Sequence, residues 1–180
     1  MLDNMPLYKV LFINLILGVL WHTAMLIWCI ARNEAAFSPD KKMYRPHRWE
    51  RNGKFYADVL KINRWKDHLP QYIGKNGFSK EHLETVSLDY VDRFITETCR
   101  GEWNHVMNCT LVFVLFILNP FTLALILSLL LLLGNAPFII IQRYNRFRLQ
   151  KLRKLILKKT NRRQPAAAVP VPENAEGYQN

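Results

Sequence analysis

Residues 101–149 read GEWNHVMNCTLVFVLFILNPFTLALILSLLLLLGNAPFIIIQRYNRFRL, and this stretch decides the fold. From Val106 to Ile141 there are 36 residues without a charge. One upright membrane crossing needs about 20 apolar residues, so the run is too long for one and slightly short for two. Asn119-Pro120 interrupts it in its first half. A helical hairpin turning near Asn119-Pro120, fully crossing or re-entrant, accommodates the length. Gly134-Asn135-Ala136-Pro137 marks a second expected break, since proline removes a helical hydrogen bond. Broken backbone at membrane depth survives where it is buried in protein or lines a cavity, so this break reads as a pocket wall.

Upstream lies another uncharged block, Val10 to Ala31, of 22 residues. At 1.5 Å per residue it spans about 33 Å, the thickness of a bilayer core. A cleaved signal peptide is the competing reading. The barely basic start, the long apolar run and a small-residue site interrupted by Arg32 and Glu34 argue for an uncleaved transmembrane helix. Asn14 and His22 are its strongly polar interruptions. They face either a pocket or a neighbouring helix.

The formal net charge of the 180 residues is +11. Mean hydropathy is close to zero because apolar and basic segments are segregated. Such a balance suits anionic lipid or a phosphorylated substrate. With two membrane-length blocks, no zinc-ligand spacing and no RNA-recognition motif, nucleic acid is set aside. Residues 32–100 hold fourteen of the 25 Lys and Arg, the chain from Arg143 onward holds ten, and the N-terminal flank has one. The positive-inside rule places both basic regions in the cytoplasm and the N-terminus outside, with an even number of crossings between them. Segment 32–100 interleaves its bases with Trp and Tyr, a composition suited to the lipid headgroup layer.

Ser79, with Glu81 in the first turn, can cap a helix, and Ser87 can equally cap a second. Leu83, Val86, Tyr90, Phe94 and Thr98 recur at helical spacing, and the same face continues through Glu102, His105 and Cys109. Glu102 and His105 thus stand side by side at i, i+3 on the edge of the membrane block. A carboxylate beside an imidazole fixes its tautomer and raises its basicity, which equips His105 to deprotonate a hydroxyl. An exposed ion pair is the bland alternative. A lone Glu-x-x-His does not make a di-metal site, so no metal is expected. Cys29, Cys99 and Cys109 show neither a CxxC nor a disulfide framework and read as small buried thiols.

Beyond Ile141, Leu149, Leu152, Leu155 and Ile156 alternate with Lys and Arg, as in a basic amphipathic helix over 142–160. Pro165 to Asn180 reads as a disordered tail. The expected architecture is an all-α integral membrane protein with a single domain over 1–165. It comprises a transmembrane helix 10–31, an interfacial segment 32–100, a broken hydrophobic hairpin 106–141 and the basic helix.

Several stretches together resemble the glycosyl-4,4'-diaponeurosporenoate acyltransferases, which act in the last step of staphyloxanthin-type carotenoid synthesis. They are Glu50 with Gly53-Lys54-Phe55, Trp65-Lys66, Glu97-Thr98 leading to Arg100, and Glu102-x-x-His105. The most specific is Asn135-x-Pro137 followed by Ile139-Ile140-x-Gln142-Arg143-Tyr144-Asn145-Arg146-x-Arg148-Leu149. The likeness covers about residues 45 to 155. Phe147 stands where the family pattern has proline, and Val106 where it has an aromatic residue.

The resemblance implies transfer of a fatty acyl group to the C6 hydroxyl of the sugar on a membrane-bound glycosylated carotenoid, with acyl-CoA as donor and no cofactor. His105 is then expected as the base, oriented by Glu102. Arg143 and Arg146, with Lys66, are expected to hold the donor's phosphates or the tetrahedral oxyanion. Asn135, Asn145 and Glu50 are expected to make further substrate contacts. No His-x4-Asp motif is present: the acidic position falls on Asn52, Ile73 and Ser87 for His47, His68 and His82. Two alternatives stay open: another glycolipid acceptor, or a non-catalytic adaptor whose basic apron binds anionic lipid.

Overall fold

Helix α1 runs from Leu7 to Ala31, and its sequence is apolar on all sides. Such a helix has no preferred face for water and belongs in lipid or in a core. Phe12, Leu20 and Ile30 are indeed more than half exposed on its surface. The computed structural model describes residues 5–69 and 87–163. Short 3₁₀ turns and the one-turn helix α2 (Lys54–Asp58) follow α1 and form an apron. Helix α3 (Leu88–Cys109) is capped by Ser87, whose hydroxyl accepts from the Tyr90 N–H. The expected Ser79 cap, Leu83, Val86 and the 165–180 tail lie outside the described residues.

Helix α4 (Leu111–Leu118) continues α3, and the chain reverses at Asn119-Pro120 into α5 (Phe121–Arg163). Three helical stretches are long and apolar enough to cross a membrane: Leu7–Ala31, Leu88–Leu118 and Phe121–Arg162. The chain is therefore an all-α membrane protein. The expected break at Gly134 to Pro137 does not occur. Helix α5 passes through Pro137 within its 43 residues, so the hydrophobic return and the basic helix are one rod. Proline costs a helix one hydrogen bond and a steric clash. Packing along α3, the most extensive helix contact in the fold, holds α5 together across that point.

The helices are fastened at both ends. Asn14 on α1 and Asn119 at the turn exchange amide hydrogen bonds of 2.8 and 2.9 Å. Their remaining N–H groups donate to the Val10 and Leu115 carbonyls, so these buried amides leave no donor unused. At the other end Cys29, Phe37, Tyr44 and Cys99 form a cluster under Trp103. The buried face of α3 carries Val91, Ile95, Thr98 and Glu102. It is therefore offset by one position at its start from the Tyr90–Phe94 stripe expected from spacing. Val91 and Ile95 pack on Leu149 of α5.

Two glycines permit close approach. A Cβ on Gly101 would lie 2.9 Å from the Gln142 side chain, so glycine there draws α3 against α5. Gly53 has φ +88° and would set a Cβ 3.1 Å from Cβ of Phe147. Arg51 and Asn52 before it are also left-handed, at φ 50° and 56°. Gly53→Ala is expected to destabilise the protein by about 1–2 kcal/mol from the left-handed backbone alone, with the Phe147 contact adding to it. Thermal unfolding in detergent measures this, and an unchanged midpoint would refute it.

Candidate active site

Arg143 and Arg146 lie three residues apart on α5, on one helical face. Both are buried. A guanidinium out of water needs a partner for each N–H, and Arg143 has five. Nε donates to Glu50 Oε1 at 2.7 Å and Nη2 to Glu50 Oε2 at 2.9 Å. Nη1 donates to Glu102 Oε1 at 2.7 Å and to the Met43 carbonyl at 3.1 Å. The Arg45 carbonyl takes the last, from Nη2, at 3.2 Å. Arg146 donates to the other oxygen of Glu102 and to Sγ of Cys99, and lies over the Tyr44 ring. Two carboxylates and two guanidiniums thus form a neutral buried cluster that joins the apron to α3 and α5.

This arrangement changes two expectations. Glu102 does not orient His105: its carboxylate is taken up by Arg143 and Arg146. Arg143 does not face a substrate phosphate, because its five donors are all engaged within the protein. Glu50 is likewise enclosed, with no exposed surface. Burial works against its charge, but the Arg143 guanidinium, the His47 N–H and the Tyr56 hydroxyl outweigh it and hold the carboxyl below its usual range. Tyr56 itself is pushed up, first by burial and then by Glu50. The left-handed residues that follow Glu50 curl the chain so that its carboxylate turns inward.

His105 sits three residues past Glu102, about 4.5 Å deeper along α3. Its Nδ1 is 3.0 Å from Oδ1 of Asn135 on α5. The Asn135 amide donates to the Leu131 carbonyl at 3.0 Å, so its oxygen must be the atom that faces the imidazole. Nδ1 therefore carries a hydrogen, and in the neutral ring Nε2 keeps the lone pair. The ring stacks on Phe138, with centroids 4.8 Å apart and planes 8° apart, which fixes its orientation. His22 of α1 is oriented in the same way, its Nδ1 donating to the Gly18 carbonyl at 2.8 Å. Among the described residues neither Nε2 has a hydrogen-bond partner.

Among the described residues, Asn104 and Asn108, one turn apart on α3, each leave a buried Oδ1 without a donor. Sequence reasoning passed over them because nothing in their spacing marks them. Lys66 pairs with its neighbour Asp67 at 2.5 Å. Asn145 is half-buried and takes no part in the arginine cluster. The cysteines are free thiols, and Cys99 is fully enclosed. Among the described residues no three His, Cys, Asp or Glu side chains gather as a metal site would require.

The cluster has a measurable acid dependence. Because the folded-state carboxyl of Glu50 titrates below its ordinary value of 4.5, its pairing contributes stability above that pH. That contribution is lost as pH falls through the lower folded value. Glu50→Gln is expected to lower the unfolding free energy in detergent at neutral pH by about 3 kcal/mol or more, and to make the decline in acid shallower. Parallel pH profiles of the two proteins would contradict this.

A family model described as glycosyl-4,4'-diaponeurosporenoate acyltransferase matches residues 40–155. Among curated relatives, the glycosyl-4,4'-diaponeurosporenoate acyltransferase of Staphylococcus aureus strain MRSA252 is 29% identical over 132 residues, covering 69% of this chain and 79% of its own. The protein of that name from strain Newman is 29% identical over 122 residues, covering 67% and 73%. No solved structure matches the chain. The matched region takes in the apron, the arginine cluster and the His105–Asn135 pair, and the chain belongs to the glycosyl-4,4'-diaponeurosporenoate acyltransferase family.

Proposed function

We propose that this acyltransferase passes a fatty acyl group from acyl-CoA to the C6 hydroxyl of the sugar on a glycosylated carotenoid, with His105 as general base. The observation that carries the reading is the His105–Asn135 pair, an imidazole held through Nδ1 at the edge of a membrane segment, with Nε2 turned to no protein partner among the described residues. Asn135 takes the orienting role expected of Glu102. The sugar oxygen attacks the thioester carbonyl while its proton passes to Nε2. The tetrahedral oxyanion then collapses, the carbon–sulfur bond breaks, and the proton leaves with the thiolate of CoA.

The orphan acceptors of Asn104 and Asn108 complement a sugar, which presents hydroxyl donors. With Arg143 fully used, the phosphates of CoA are assigned to exposed bases of the apron, Arg48, Arg51 and Lys54. Arg146, buried and paired with Glu102, is assigned to the same structural cluster as Arg143. In this reading the apron and the basic end of α5 lie in the cytoplasm and Asn119 at the opposite face, as the charge distribution directs.

Membranes containing the protein, given labelled palmitoyl-CoA and a glycosylated carotenoid acid, are expected to form the acyl ester. His105→Ala should lower the rate about a hundredfold or more at equal membrane insertion. Asn135→Ala should also lower it, by removing the tautomer control. A His105→Ala protein as fast as the parent would remove His105 from the mechanism.

A further inference from the structure

Between α1, α4 and α5 runs an apolar groove of about 630 Å³, within the range of about 300–1,000 Å³ typical of small-molecule sites. Leu15, Val19, Leu111, Leu115, Leu127 and Leu131 form its walls. Along α1 it extends from Leu11 to Thr23, about 18 Å of helix. Its two ends differ. One is bounded by Asn14, locked to Asn119 by the reciprocal amide bonds. At the other stands His22, an ionisable side chain within a membrane span. The groove also meets the site through Leu131, whose side chain lines it and whose carbonyl holds Asn135 in place for His105.

We propose that this groove seats the fatty acyl chain of the donor, with its carbonyl at the His22–His105 end, and that the absence of a side chain at Gly18 lets a long chain run past the first turn towards Leu11. The inference rests on the acyltransfer reading and names the occupant of that site. The groove's polarity selects the donor over the acceptor. In an acyl thioester the apolar chain begins at the reacting carbonyl itself. In a glycosylated acceptor a whole sugar ring separates the reacting hydroxyl from the apolar part. A groove that turns apolar directly beside His22, and meets the His105 site through Leu131, therefore fits the donor. Its walls are aliphatic and uncharged, and an extended saturated chain of about fourteen carbons spans about 18 Å at about 1.3 Å per carbon, from the C–C bond length.

Gly18 lies on the groove wall one turn from His22, and a Cβ built there meets nothing within 4 Å. A larger side chain at this position fills the groove without disturbing the helix. Gly18 is also a poor helix former, so substitution does not weaken α1.

The test compares parent, Gly18→Phe and Ile16→Phe proteins, the last altered on an exposed side of the same helix. Each is given an equimolar mixture of butanoyl-, dodecanoyl- and octadecanoyl-CoA, and the acylated products are resolved by mass spectrometry. Gly18→Phe is expected to shift the product ratio towards butanoyl by about tenfold or more, whereas Ile16→Phe keeps the parent's ratio. An unchanged ratio in Gly18→Phe overturns the proposal. A second readout does not depend on turnover. A non-hydrolysable palmitoyl-CoA thioether with a diazirine at its methyl end is expected to label the groove near Leu11, Leu15 or Leu115, and Gly18→Phe should abolish that label. Label spread over lipid-facing positions such as Leu129 and Leu133 would mark ordinary bilayer contact and overturn the proposal. Groove labelling without transfer of any acyl group would instead retain the groove and refute the acyltransfer reading.

Discussion

The fold depends on the need of one buried guanidinium for five acceptors. Arg143 finds them in three separate parts of the chain: two carboxylates, on Glu50 and Glu102, and two carbonyls at Met43 and Arg45. No single element supplies enough acceptors, so the apron must fold back on α5 and α3 must lie beside it. Desolvating such a charge is costly, and a buried ion cluster is weak evidence of net stability. Its consequence is specificity. An apron docked in another register would leave Glu50 or Arg143 buried alone, at a cost of about 3–5 kcal/mol.

The large features were legible in the sequence because they follow from length and charge. The apolar character of α1, the reversal at Asn119-Pro120 and the basic run after Ile141 each rest on a local rule. The unbroken α5 was not legible, because Pro137 and Gly134 argue locally for a break and only packing against α3 overrides them. The Arg143 cluster was half legible. Its residues stood out as polar groups beside a membrane segment, but their partners did not. Backbone carbonyls leave no trace in composition, and Glu50 lies 93 positions away from Arg143.

The pairing of His105 with Asn135, by contrast, is implicit once the turn is placed. His105 lies fifteen residues before Pro120 and Asn135 fifteen after it, so a helical hairpin sets them level. Glu102 and Arg143 are eighteen and twenty-three residues from Pro120, and still meet. Helical side chains lean towards the N-terminus of their own helix. On antiparallel α3 and α5 these leanings converge, and the long side chains of Glu102 and Arg143 reach across the offset. The expected Glu102–His105 contact overlooked this direction: Glu102 leans away from the membrane centre, towards the arginines, and leaves His105 to the shorter Asn135.

The continuity of α5 has a mechanical consequence. Forty-three residues of uninterrupted helix form a rod of about 64 Å, roughly twice the thickness of a hydrocarbon core. A thinner bilayer accommodates an over-long apolar helix by tilting it. Because α5 has no hinge at Pro137, that tilt is carried undiminished into its basic half. The arginine cluster lies near the middle of the rod and acts as its fulcrum, so the apron that it grips turns with it. Lipid thickness is in this way coupled to how the polar cover sits at the membrane surface, through a lever that a broken helix would not provide.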